Sequence, residues 1–205
     1  INSAGIAIDR AGISWDRLGG HVDDPGDTTI QNVFGACAGA ALYRRTMFDE
    51  IGLFDEDFFA YLEDVDLAWR AQAAGWEALF VPQARVTHHH SGTSVEGSSF
   101  KSQLLGRNKI WLIIKNYPWP HCLWYGPIVC VYDIGSVLAA VLGVNNHPLV
   151  GRLRALESLF KFLKKRTEYH RTVFHLMEPI SSPWAVWRRY KHLETEENIN
   201  WRDTC

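Results

Sequence analysis

Apolar positions recur with helical spacing most clearly over residues 63–74, where Val65, Leu67, Ala68, Trp69 and Ala73 are apolar and Gly75 follows at the C′ position, predicting a helix. A shorter helix is expected over 46–51, since Thr46 and Asp49 stand three residues apart in a capping-box pattern and Gly52 supplies the stop. Short apolar runs at 6–9 and 33–36 read as strands, separated by Gly/Asp-rich turn chemistry over 19–27. Residues 76–81 and 85–88 read as two further strands split by Pro82. The run 35–41, Gly-Ala-Cys-Ala-Gly-Ala-Ala, has almost no side-chain volume, which permits close approach of a ligand or of another backbone.

From Leu105 the pattern changes. Ile110 to Ile114 is apolar, Tyr117-Pro118-Trp119-Pro120 follows, and residues 123–144 form an apolar run of 22 residues. That length suffices to span a bilayer. However, Asp133 lies in its middle and Pro127 interrupts its first turn. A carboxylate at mid-membrane costs about 2.5–3.5 kcal/mol even on the insertion scale. A re-entrant or interfacial helix is therefore favoured over a single transmembrane span. Residues 152–166 carry six Lys/Arg and one Glu, with Leu153, Leu156, Leu159, Phe160 and Leu163 at helical spacing. This is the pattern of a basic amphipathic helix on a membrane surface, with a helix packed on its own domain as the alternative.

Composition sharpens this division. With 47% hydrophobic and 13% aromatic residues the chain can bury a core. Its net charge of −2 conceals an asymmetry: residues 1–100 hold 15 Asp/Glu against 6 Lys/Arg, and residues 101–205 hold 8 against 15. An acidic half suits metal ions and sugar hydroxyls, and a basic, Trp-rich half suits anionic lipid headgroups. Nucleic acid is not expected, because the basic residues alternate with long apolar runs rather than with isolated stacking aromatics. Four cysteines, Cys37, Cys122, Cys130 and Cys205, make no CxxC pair and fit a reducing compartment. The first residue is Ile1 and no basic-then-apolar leader opens the chain, so a longer natural polypeptide is expected.

The chemistry concentrates in one segment. Asp55, Glu56, Asp57, Glu63 and Asp64 crowd within ten residues among aromatics, and His88-His89-His90 follows. On a helix starting near Glu63, Asp66 and Arg70 stand at i and i+4 and form a structural pair. Asp64 lies about 200° round the helix from Asp66, so it faces away from Arg70 and can point into a cleft. Its place in the first helical turn favours the ionised form. An ionised carboxylate there can accept the proton of an attacking hydroxyl, although helix-end carboxylates more often only satisfy backbone amides. Alternation sends His88 and His90 to one face and His89 to the other, and a neutral imidazole is a good ligand for a divalent metal. Asp55-Glu56-Asp57 spells D-x-D, but it follows the helix stop too closely to be delivered by a long apolar strand, so it is read as a loop-shaping segment.

In order, residues 35–45, 48–59, 63–70 with Gly75-Trp76, and 81–89 resemble the acceptor half of family 2 glycosyltransferases, most nearly the bacterial rhamnosyltransferase-like branch. The likeness runs from about Ile1 to Ser94 and continues less distinctively through Leu105-Gly106-Arg107-Asn108-Lys109. It implies an α/β chain: the C-terminal, acceptor half of a GT-A fold over 1–100, then a mainly helical, membrane-associated region over 101–205. It also implies a nucleotide-diphosphate sugar donor, a glycan or polyprenyl-linked acceptor, and a divalent metal, Mg²⁺ or Mn²⁺, on the donor diphosphate. The reaction is single displacement with inversion, in cell-surface polysaccharide synthesis at the cytoplasmic face of the plasma membrane. Rhamnose is the sugar taken from the branch. Asp64 matches the base position and His88 the metal-binding histidine, with His89 as the fallback. Glu63 and Trp69 then shape the acceptor pocket, and Arg70 stays structural through Asp66. The nucleotide-binding half of the family pattern is absent before Ile1, so little transferase activity is expected of these residues alone.

Two readings from other classes compete. A non-catalytic membrane-associated interaction domain would use the acidic segment only to cap helices. A metal hydrolase built on His88, His89 and His90 is weaker, because consecutive histidines rarely converge on one ion and no HExxH spacing is present.

Overall fold

The computed structural model describes residues 1–24, 26, 28–87, 98–142, 147–166, 173–186 and 188. The chain mixes short strands with helices. β1 (Ile6–Ile8) and β2 (Ser14–Asp16) form an antiparallel hairpin with Ala7 opposite Trp15. β3 (Gln31–Val33) pairs antiparallel with β4 (Ala78–Phe80), Asn32 facing Leu79. The Ile6 N–H donates to the Gly35 carbonyl at 2.7 Å and links the two pairs. Residues 85–87 are not a strand, which corrects the expected fourth run, and the end of that run at His88 lies outside the described residues.

The helix read at 46–51 is α1 (Arg45–Ile51), but the Thr46/Asp49 capping box does not form: Arg44 is the N-cap and makes no side-chain cap bond. Gly52, at φ 79°, ends it. The helix read at 63–74 is α2 (Glu63–Ala74). Gly75 adopts φ 93°, and the Trp76 and Gly75 N–H groups donate to the Ala71 and Gln72 carbonyls, a Schellman stop. Two long helices follow, α3 (Ser99–Asn116) and α4 (Trp119–Val141), the latter with Pro127 inside it. The single basic helix expected over 152–166 is instead two, α5 (His147–Glu157) and α6 (Leu159–Lys164), broken at Ser158. α5 crosses α3 closely, because a Cβ on Gly151 would lie 2.0 Å from the Gln103 carbonyl oxygen.

One core runs through both halves. Ile6, Ile8, Phe34, Val65 and Trp69 pack with Trp111, Leu112, Tyr117, Phe162 and Met177. The boundary near residue 100 is thus one of composition rather than of packing. The C-terminal part also returns to the first strand. Glu178 N–H donates to Ile8 O at 2.9 Å, and Ser181 N–H donates to the fully buried Asp9 at 3.0 Å.

The charge asymmetry is satisfied inside the molecule. Lys115 of α3 lies 2.7 Å from Asp55 and 2.9 Å from Asp66. Lys165 reaches Asp55 at 2.6 Å and also pairs with Asp57, while Lys161 meets Asp57 at 2.6 Å. Asp133, the carboxylate inside the apolar run, pairs with Lys109 at 3.0 Å and Arg152 at 2.9 Å. The basic residues 109, 115, 152, 161 and 165 therefore bind the chain's own carboxylates, correcting their assignment to lipid headgroups. Among the described residues no helix is long and apolar enough to cross a membrane, so the option of a span over 123–144 is not supported.

The loop before α2 is strained. Phe59, Tyr61 and Leu62 all have positive φ, at 64°, 67° and 66°, each costing about 1–3 kcal/mol for a non-glycine residue. Asn108 of α3, fully buried, holds it in place by donating to the carbonyls of Phe58, Ala60 and Tyr61 at 3.0, 2.9 and 2.8 Å. Arg107 adds bonds to the Asp57 and Phe58 carbonyls at 3.2 and 3.0 Å. Replacing Asn108 by Ala takes a donor from the Ala60 and Tyr61 carbonyls, while Phe58 keeps Arg107, and is expected to lower the unfolding free energy by about 2–3 kcal/mol. Urea denaturation measures this, and a loss under about 1 kcal/mol would remove Asn108 as the loop's anchor.

Candidate active site

The start of α2 and the small-residue run meet at the wall of a cavity of about 1170 Å³. Gly35 enters the run where a Cβ would come within 2.3 Å of the Ala68 Cβ, so glycine here allows the chain to lie against α2. Beyond it the chain makes a 3₁₀ turn at Ala38–Ala40 and lines the cavity. Both uses expected of the run, backbone packing and an open wall, are present.

Asp64 lines the cavity, on the side of α2 away from Arg70. One oxygen accepts the Ala38 N–H at 3.2 Å and the other accepts the Val65 N–H at 2.9 Å. Burial pushes its pKa above the ordinary carboxylate range, and the charge of Asp16 adds to this; the backbone N–H bonds only partly offset it. The sequence argument had weighed only the helix end, which acts in the opposite direction.

Glu63, beside it, is half-buried. Its Oε2 is buried with no hydrogen-bond partner among the described residues. Burial raises its pKa, and the neighbouring Asp64 charge raises it further. Trp69 does not reach the cavity. It is buried in the core, edge-on to Phe34 at 5.9 Å and tilted against Tyr117 at 5.7 Å, which corrects its expected contact with an acceptor. Asp66 and Arg70 pair at 2.9 Å as expected, but fully inside the protein rather than on its surface. Arg70 also donates to the carbonyls of Ile51 at 2.6 Å and Leu53 at 2.9 Å, while Asn116 donates to Asp66 at 2.8 Å.

His88 and His89 lie outside the described residues, as does His90. Among the described residues no group of three His, Cys, Asp or Glu side chains is placed to hold a metal ion. The D-x-D carboxylates are committed elsewhere. Burial opposes ionisation of Asp55, yet hydrogen bonds from Lys115 and Lys165 outweigh it and hold its pKa at about 2. This agrees with reading 55–57 as a structural loop.

Two features near Asp64 had no signal in the sequence. Asp16, at the end of β2, is close enough to raise the Asp64 pKa. Tyr43 lines the cavity, with its ring packed against Phe48 and Phe54 at 5.3 and 5.8 Å.

Comparison with known proteins accords with this arrangement. The chain is 34% identical over 108 residues to the N-acetylglucosaminyl-diphospho-decaprenol L-rhamnosyltransferase of Mycobacterium tuberculosis, covering 51% of this chain and 32% of that protein. It is 35% identical over 71 residues to rhamnosyltransferase WbbL of Escherichia coli, covering 33% and 27%. It is 25% identical over 169 residues to O-antigen biosynthesis protein RfbC of Myxococcus xanthus, covering 78% and 12%. These likenesses support the resemblance to the rhamnosyltransferase-like branch of family 2 glycosyltransferases. It matches no more than about a third of the length of these glycosyltransferase relatives. No family model matches, and no solved structure does.

Proposed function

We propose that this chain is the acceptor half of a GT-A glycosyltransferase, with Asp64 as the general base of an inverting sugar transfer. The observation that carries it is the Asp64 carboxylate on a cavity wall, held by the Ala38 N–H at 3.2 Å and facing away from the Asp66–Arg70 pair. The acceptor hydroxyl gives its proton to Asp64 as its oxygen forms the new bond to the anomeric carbon. The bond from that carbon to the donor's diphosphate oxygen breaks on the opposite face, so the configuration inverts. The raised pKa makes Asp64 a stronger base than an exposed carboxylate. Glu63, the acceptor-side residue implied by the family resemblance, precedes Asp64 on α2 but does not line the cavity.

The donor in this reading is a nucleotide-diphosphate sugar, with rhamnose suggested by the relatives' names. The acceptor is a glycan or polyprenyl-linked sugar, and the setting is cell-surface polysaccharide synthesis. Mg²⁺ or Mn²⁺ on the donor diphosphate, held from this chain by His88 or His89, supplies charge neutralisation for the leaving group. The donor-binding half lies in a longer natural polypeptide, and work is at the cytoplasmic membrane face. Support for surface attachment comes from α4, where Leu123, Val131, Ile134 and Leu138 are exposed along one stripe and Trp124 is exposed beside it.

In the complete natural enzyme, Asp64→Asn is expected to reduce turnover by about 10³-fold with the fold intact. The acid limb of the wild-type kcat/KM profile should lie at higher pH than an ordinary carboxylate gives, because the ionised base is the active form and its pKa is raised. Near-normal turnover of Asp64→Asn would support the non-catalytic interaction domain instead. Chelation by EDTA should abolish transfer, with Mn²⁺ restoring it; activity that persists after exhaustive chelation removes the metal from the scheme. For the membrane surface, Val131→Glu with Ile134→Glu should stop the protein floating with anionic phospholipid vesicles, and unchanged flotation would discard this face.

A further inference from the structure

Two polar atoms near the base have no protein partner among the described residues: Glu63 Oε2 and the Tyr43 hydroxyl, both buried. Folding removes the water that each would otherwise bind, at a cost of about 1–3 kcal/mol apiece. Such orphans need an explanation, and in a ligand-sized cavity a ligand's polar groups can provide it. The phenol is placed rather than free, since its ring packs edge-on against Phe54 and tilted against Phe48. It belongs to the same cavity as Asp64, and the charges of Asp64 and Glu63 both act on it. Burial first, and these charges next, push its pKa to about 12, so at neutral pH it keeps its proton and can donate.

We propose that Tyr43 is an acceptor-recognition residue, whose hydroxyl donates to an acceptor hydroxyl neighbouring the one that Asp64 deprotonates. This rests on the assignment of Asp64 as base. It adds that the cavity reads a pair of neighbouring hydroxyls rather than one. The Asp64 carboxylate would not by itself distinguish sugars differing at the adjacent carbon. A fixed phenol does, because a site built to bond a hydroxyl rejects the analogue lacking it. The Tyr43 ring brings no charge of its own to the site, so it orients the acceptor without further raising the Asp64 pKa.

The test uses the complete natural enzyme, a nucleotide-diphosphate rhamnose donor, and N-acetylglucosaminyl diphosphate on a short prenyl chain together with its single deoxy analogues. Tyr43→Phe keeps the aromatic packing and removes only the oxygen. It is expected to raise the acceptor KM about tenfold while leaving the donor KM unmoved. One deoxy analogue should lose the same factor on the wild type and lose nothing further on Tyr43→Phe, because the two changes remove one bond. An unchanged acceptor KM in Tyr43→Phe, the result if water alone occupies the phenol, overturns this proposal. If Asp64→Asn abolishes transfer in the same assay, only Tyr43 is then refuted; if Asp64→Asn remains active, the base assignment itself falls.

Discussion

The buried carboxylate of Asp66 is the contact on which the remaining structure depends. Its two oxygens take Arg70, Lys115 and Asn116, each at 2.8–2.9 Å, and no part of it reaches solvent. Through Arg70 it fixes the carbonyls that end α1, and through Lys115 it fixes Asp55 and hence the loop before α2. A charge buried this deeply is tolerable only because each partner is itself paired, and removing one partner from such a site typically costs about 3–5 kcal/mol. One residue thus ties α1, α2 and α3 together two positions after the base. The helical phase that turns Asp66 inward also turns Asp64 outward.

Lys161 and Lys165 extend the same logic to α6. Their ion pairs with Asp55 and Asp57, together with Phe162 stacked on Trp111 at 4.1 Å, close the C-terminal helices over the acidic loop. Part of the opposed charge of the two halves is used in this closure. Asp133 shows the same for the apolar run, since its pairs with α3 and α5 make α4 a helix packed on its neighbours along one side.

Local signals carried the sequence reading, and non-local ones defeated it. Periodicity with a terminal glycine located both N-terminal helices to within a residue. β1 and β4 were legible as apolar runs, but β3 meets its expected run only at Val33 and β2 had no apolar run to mark it, because three-residue strands are set by cross-strand partners that no local pattern encodes. The outward direction of Asp64 followed from helical phase alone. Trp69 was misplaced because a tryptophan suits a sugar face and a core equally, and only the positions of Phe34 and Tyr117 decide between them. The same ambiguity affected the lysines of α6: a cationic stripe looks alike whether its counter-charge is a lipid or an aspartate more than a hundred residues away. Asn108 had no legible role, as its targets are carbonyls, which every residue has.

Asp64 is oriented across the cavity by a main-chain amide, that of Ala38, and not by a side chain. Substitutions that change the lining at 36–41 while preserving the turn therefore leave this bond in place. The chemistry and the shape of the recognised molecule are encoded in separable parts of the wall. Small changes of volume along this turn can therefore reshape the cavity wall without moving the Asp64 carboxylate.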